Sequence, residues 1–291
     1  MSLINSIFLG IIQGLAEFLP ISSSGHLAIL QEVLNVKGAG MVFDIMLHMG
    51  TLIAIFICYW KDIKKLFIEG ILIIRDFCIN IARLIKNIGK KDSEKVKYLN
   101  MVRSPYRKFV MLVIVSSIPT AIIGVLLKDI VENVSSSMLV VGICLIVTSV
   151  LLTIADNCNV GNKRPRNITY KEAGIVGIVQ GLATLPGISR SGSTITACLL
   201  CGFDKSFAVK YSFIMSIPAV LGAVLLELKD FAAMSVTWSE LRNYLIGTLF
   251  AAIVGFICIK TMLVLVRGKR FKYFSIYCFM AGLFAVVWYF V

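Results

Sequence analysis

The chain has 291 residues, 58% of them hydrophobic, and a mean hydropathy of +0.89, which excludes an ordinary soluble domain and points to an all-α polytopic membrane protein. A formal net charge of +13 would suit nucleic acid, but 13 of the 29 Lys and Arg lie between Lys61 and Lys108. Cations gathered between apolar runs mark cytoplasmic loops that touch anionic lipid, so the bilayer is an expected partner and nucleic acid is not.

The first element, 3–33, is apolar at both ends and interrupted by Pro20, Ser22, Ser23, Ser24 and Gly25. Lipid tolerates irregular backbone only against protein or a wet cavity, so a helix that enters, breaks and returns is the economical reading. A first span is predicted over 41–60. Residues 64–88 mix Lys and Arg with Leu and Ile at near-helical spacing, which predicts an amphipathic helix on the cytoplasmic interface and not another span. Residues 89–104 complete a basic loop, expected to be the most mobile part. Spans follow at 109–127 and 138–155. The broken pattern returns over 172–201, and further spans are predicted at 207–228, 244–266 and 273–291. Pro119 and Pro218, each in a Ser-Ile-Pro triplet, predict helix kinks. The aromatics near the C-terminus are read as lipid-facing or core filling. The N-terminus lacks a basic leader, so no cleavable signal peptide is expected. The eight Cys read as small hydrophobes, and with two His in the chain the Cys198/Cys201 pair predicts no zinc site.

Loops 61–108, 156–171 and 267–272 carry 13, 4 and 4 Lys and Arg and belong in the cytoplasm. The alternate connections hold Lys128, Asp129 and Glu132, then Glu227, Lys229, Asp230, Glu240 and Arg242; with little positive excess they belong outside. Two repeats result, 1–155 with the insert 61–108, and 172–291. Each has one re-entrant segment and three spans. Three is odd, so the second repeat enters upside down. The expected fold is an inverted-topology repeat of six transmembrane helices plus two re-entrant broken-helix segments.

The repeats share a polar phrase. Residues 13–26 and 180–193 agree at eight of fourteen positions. The first supplies Gln13 and Glu17, one helical turn apart, then Ser22, Ser23, Ser24, Gly25 and His26. The second supplies Ser189, Arg190, Ser191, Gly192 and Ser193, followed by Thr194. Helix N-termini and Gly-rich turns bind phosphate through backbone N–H groups, and Arg adds planar recognition of its oxygens. Together they predict a site for a multiply charged phosphate group inside a membrane. Asp44 and His48, on one face of the first span, are either a relay or a satisfied buried pair.

Gln13-x-x-x-Glu17 followed by Phe18-Leu19-Pro20-Ile21-Ser22-Ser23-Ser24-Gly25-His26 resembles the first motif of the bacitracin-resistance family of undecaprenyl-diphosphate phosphatases. Pro186-Gly187-Ile188-Ser189-Arg190-Ser191-Gly192-Ser193-Thr194 is similar to its second, and Phe43-Asp44 also matches. The resemblance covers essentially the whole chain. It implies hydrolysis of undecaprenyl diphosphate, a polyprenyl diphosphate lipid, to the monophosphate, at a site opening to the outer face of the bacterial cytoplasmic membrane. That reaction would recycle the lipid carrier for peptidoglycan synthesis and confer bacitracin resistance. The resemblance also implies a divalent cation, Mg²⁺ with Ca²⁺ as the other candidate, near Gln13 and Glu17. It gives His26, Ser23, Glu17 and Arg190 catalytic positions. Ser189, Arg190, Ser191, Gly192 and Thr194, with Ser22 and Gly25, take the phosphate. Many members have Glu where this chain has Gln13, so a tight all-protein metal cage is not expected.

Three nucleophiles remain open at this stage: His26, Ser23 activated by His26, or water. A homodimer is the oligomer left open. The lipid phosphatases that share Ser-Gly-His and Ser-Arg fragments need a second His six residues after the Arg, where this chain has Thr196. A polyprenyl-phosphate flippase or secondary transporter on the same inverted repeat is the alternative function.

Overall fold

The computed structural model describes residues 1–33, 40–135, 137–158, 161–233, 237–268 and 270–291. The side chains of Glu227, Lys229 and Asp230, on a predicted outer connection, and the whole of Lys269 lie outside the described residues. The chain folds into helices α1 (Leu3–Phe18), α2 (Ser23–Val33), α3 (Gly40–Asn87), α4 (Pro105–Val134), α5 (Met138–Asn157), α6 (Tyr170–Leu182), α7 (Arg190–Leu200), α8 (Lys205–Ala233), α9 (Trp238–Arg267) and α10 (Phe271–Phe290). Six of them (α3, α4, α5, α8, α9 and α10) are long and apolar enough to cross a membrane, the number predicted. The shorter pairs α1–α2 and α6–α7 are separated at the two polar phrases.

Local chemistry explains where these helices begin. Ser2 caps α1 by accepting from the Asn5 N–H. Ser104 caps α4, with Pro105 in the first turn where its missing N–H costs nothing. Thr169–Glu172 and Thr237–Glu240 close reciprocal capping boxes on α6 and α9. Pro119 and Pro218 lie inside α4 and α8.

Two differences from expectation occur on one side of the molecule. The amphipathic segment is not a separate helix. It continues the first span, and the backbone leaves helical geometry only at Tyr59 (φ −113°, ψ 20°). The basic loop is tied along it. Asn80 exchanges two hydrogen bonds with the Leu99 backbone at 2.9 and 2.7 Å, and Asn87 does the same with Val96 at 3.0 and 2.9 Å. Arg107, buried, donates to Asp76 at 2.7 Å and to Glu69 at 2.8 Å. A side-chain amide matches a peptide's donor and acceptor together, a pairing that no periodicity reveals.

In lipid, apolar surface gives helices no reason to associate, so contact rests on close packing of backbones. α1 packs on α9, α6 on α4, and α5 on α10. A Cβ on Gly10 would stand 2.3 Å from the Gly247 carbonyl oxygen, and one on Gly177 2.2 Å from that of Ser116. The α5–α10 contact is reciprocal: a Cβ on Gly142 meets the Gly282 carbonyl oxygen at 2.7 Å, and one on Gly282 meets the Gly142 oxygen at the same distance. Behind the polar phrases lies an apolar core that includes Phe18, Phe109, Phe203, Phe207, Tyr211 and Phe213. Phe18 stands edge-on to Phe213 at 5.3 Å, which anchors the end of α1 next to Glu17.

Gly282→Leu forces α5 and α10 apart, and an overpacked backbone contact of this kind costs about 3 kcal/mol. Thermal unfolding in detergent should show a clearly lowered midpoint; an unchanged midpoint would mean that the contact carries no stability.

Candidate functional site

The two breaks meet. α1 ends at Phe18, and the chain turns through Leu19–Ser22 before α2 begins at Ser23. Ser22 holds a positive φ of 71°, costly for a residue with a side chain. It is held there by its own bonds: its Oγ accepts from Gly25 N at 3.3 Å, and its carbonyl accepts from His26 N at 3.2 Å. In the second break Gly187 has φ 92°, and its N–H donates to Ser24 Oγ at 3.4 Å. A Cβ on Gly25 would come within 3.0 Å of the Gly187 α-carbon. A side chain there would push Gly187 back, and the close approach sets the N-terminus of α2 against the second break. Thr148 of α5 supports the second break by donating to Gly187 O at 3.1 Å and accepting from Ser189 N at 3.0 Å.

Glu17 is the hub. It is 7% exposed, and four groups converge on its carboxylate. Gln13 Nε2 donates at 3.1 Å and Ser23 Oγ at 2.7 Å, both to Oε2. Arg190 pairs with Oε1 from the other break. His48 Nε2 lies 3.9 Å from Oε2. Gln13, Glu17, Ser23 and Arg190 were all singled out from sequence, and they form one cluster. His48, left open there between a relay and a structural pair, adds α3 to it.

His26 goes elsewhere. Its Nδ1 is 2.8 Å from the Ser22 carbonyl, which can only accept, so Nδ1 carries the proton. Nε2 is then the acceptor, 2.7 Å from the Tyr277 hydroxyl of α10, and the two rings stack at 5.4 Å with 13° between planes. His26 therefore faces Tyr277 rather than Ser23. Tyr277 corrects the reading of the C-terminal aromatics as mere filling. The available signal was a hydroxyl inside an apolar span, which must find a polar partner.

The remaining predicted positions divide. Ser189 caps α7 by accepting from Gly192 N at 3.1 Å, so both residues hold the helix start in place. Ser191 Oγ lies 3.4 Å from Ser189 Oγ and 3.5 Å from Leu19 O. Thr194, fully buried, bonds Arg190 O at 2.8 Å and Ser212 Oγ of α8 at 2.5 Å. Its hydroxyl bridges the Arg190 backbone to α8.

Glu17 and Gln13 offer hard oxygen donors. Gln13 Oε1 is buried without a partner beside a carboxylate, which fits a cation that keeps much of its water. Among the described residues no group of three or more His, Cys, Asp or Glu could hold a metal. What the cluster can do chemically is bind a phosphate through Arg190 and two helix N-termini, with a hydroxyl already hydrogen-bonded to a carboxylate.

A family model described as "Bacitracin resistance protein BacA" matches residues 6–284. The undecaprenyl-diphosphatase of Methanosphaera stadtmanae is 39% identical over 287 residues, covering 99% of this chain and 98% of the relative. That of Halothermothrix orenii is 38% identical with the same coverage. The Alkaliphilus metalliredigens undecaprenyl-diphosphatase is 40% identical over 283 residues, 97% of each chain.

At Gly187 an added Cβ would stand 2.4 Å from the Val141 carbonyl oxygen, on a backbone that disfavours any side chain. Gly187→Ala should cost about 2 kcal/mol or more and lower the unfolding midpoint in detergent. A variant as stable as the parent would show that the two breaks do not depend on this contact.

Proposed function

The chain belongs to the bacitracin resistance protein BacA family, and from that premise we infer that it is a membrane undecaprenyl-diphosphatase, releasing inorganic phosphate from undecaprenyl diphosphate. The observation that carries the mechanism is the 2.7 Å hydrogen bond from Ser23 Oγ to Glu17. Ser23 is the nucleophile and Glu17 takes its proton. Glu17 replaces His26 as the group that activates Ser23, because Ser23 Oγ is bonded to Glu17 while the ring nitrogens of His26 face Ser22 and Tyr277. Arg190 leaves Glu17 for the terminal phosphate, whose remaining charge falls on the amides at the starts of α2 and α7. Attack of Ser23 Oγ on the terminal phosphorus breaks the P–O bond to the lipid monophosphate and leaves a phosphoserine. In the second step Nε2 of His26, one turn along α2, exchanges its bond to Tyr277 for one to water. It takes a proton from that water as the water oxygen attacks phosphorus. Glu17 returns its proton to the departing Ser23 oxygen, and inorganic phosphate results.

A divalent cation, Mg²⁺ or Ca²⁺, would be held by Glu17 and the carbonyl oxygen of Gln13, and would supply charge neutralisation on the diphosphate oxygens. Ser191 and Gly192 line the same helix start, while Ser189 and Thr194 keep Arg190 aimed.

The reading extends to topology. An inverted repeat is supported by exchange of equivalent partners: α1 packs on α9 while α6, its counterpart, packs on α4, the counterpart of α9. The reciprocal Gly142–Gly282 contact is what a two-fold axis between α5 and α10 requires. The first and second breaks are then re-entrant segments that enter from opposite sides. The charge of the loops 61–108, 156–171 and 267–272 supports a cytoplasmic location for them and a site that opens to the outer face.

Phosphate release from undecaprenyl diphosphate by purified protein in detergent tests the activity where no transport can occur. Ser23→Ala, Glu17→Gln and Arg190→Ala should each reduce turnover by ~10³-fold or more, and chelation of divalent cations should reduce the parent's rate. With radiolabelled terminal phosphate, His26→Ala should retain label on Ser23 after acid quenching. Near-normal turnover in Ser23→Ala would remove Ser23 as nucleophile, and an unlabelled His26→Ala protein would remove His26 from the second step.

A further inference from the structure

Beyond the bend at Tyr59, α3 runs on to Asn87 with its faces reversed from those of a water-exposed helix. Its polar face is turned inward: Asp76 meets Arg107 and Arg103 at 2.7 and 2.9 Å, and Asn80 and Asn87 hold the 96–99 backbone. Its apolar face is turned outward. Phe67, Ile71, Ile74, Phe77, Ile81 and Ile85 recur every three or four residues, each between 43% and 70% exposed. A stripe of that size left open has a partner.

The direction of this arm follows from two contacts. Tyr106 and Arg107, neighbours in the first turn of α4, bond Asp62 at 2.9 Å and Asp76 at 2.7 Å. Those acids are fourteen positions apart, about 21 Å of helix. One turn of α4 can reach both only if the arm crosses the end of α4. Because α4 is a candidate span, the arm lies across the bundle's end, along the plane where a membrane surface would be.

The charges complete the pattern. Lys64, Arg75 and Lys86, all exposed, are spaced eleven apart, which in an α-helix returns each to nearly the same angle. They form a row along one edge of the apolar stripe. Arg75 also pairs with its neighbour Asp76 at 2.7 Å.

We propose that residues 61–87 form an anionic-lipid docking arm: the apolar stripe seats at the acyl boundary, and the Lys64–Arg75–Lys86 row takes negatively charged phospholipid headgroups. A second copy of the chain would bring the same row of cations to meet this one, whereas headgroups bring the opposite sign. The proposal is independent of the phosphatase chemistry.

Cys78 lies within the stripe and, among the described residues, is the exposed cysteine, so it reports on the arm without engineering. The full-length protein is reconstituted in vesicles of phosphatidylcholine with phosphatidylglycerol and labelled with nitrobenzoxadiazole at Cys78, using Cys78→Ser as the background. Nitroxide on lipid chains should quench most of the emission, and aqueous iodide little of it. Nitroxide phosphatidylglycerol should quench more strongly than nitroxide phosphatidylcholine at equal mole fraction. A Lys64→Gln/Lys86→Gln double variant should bring that ratio to one. Dominant iodide quenching would place the arm in water, and equal quenching by the two lipids in the parent would remove the charge selectivity. Excimer emission from pyrene at Cys78 would give the surface to a second copy. Each of these outcomes overturns the proposal.

Discussion

One carboxylate and one guanidinium, delivered by two different broken helices, set the conditions for the rest of this fold. Glu17 and Arg190 are charges in a region where an unpaired one is costly. Each reaches the other only because its helix stops short. A buried helix end needs partners for the backbone it releases. Ser22 and Ser189 provide these at the starts of α2 and α7, and Thr148 does so from behind. The approach of Gly25 to Gly187 closes the arrangement. The ion pair, the strained Ser22 and the glycine contact are thus one requirement met at three points.

Holding the breaks in register needs a rigid surround that hydrophobicity alone cannot supply in lipid. The glycine contacts Gly10–Gly247, Gly177–Ser116 and Gly142–Gly282 bring backbones close enough for dense packing. Phe18 transmits that rigidity to the site, because it follows Glu17 in sequence and packs edge-on against Phe213. The apolar core and the polar cluster meet at adjacent residues, so there is little slack between them.

Much of this was legible before any coordinates. Hydropathy located the six long helices, and the repeated phrase located the two breaks and brought Gln13, Glu17, Ser23 and Arg190 together. Those features are local: they depend on composition and on which residues lipid will not tolerate. What escaped was relational. The phrase contains His26, but its partner is Tyr277 of α10, some 250 residues away, and nothing in the spacing connects them. Thr194 stands in a phosphate-binding motif, yet its hydroxyl is taken by Ser212, a packing partner on another helix. The basic stretch 89–104 looked free because its charges are soluble; it is fastened by Asn80 and Asn87 through their amides, which carry no charge to notice.

The pairing of Arg190 with Glu17 has a consequence for which molecules can stay in the site. With no substrate, each charge neutralises the other, and an incoming anion must outcompete a carboxylate for the guanidinium. A group with several negative charges close together does so and leaves Glu17 compensated by the donors of Gln13 and Ser23. A group with fewer charges does so poorly, and the internal pair re-forms. On the reading proposed above, the latch would act as a charge threshold: it would open for the diphosphate and close again once inorganic phosphate has left Ser23.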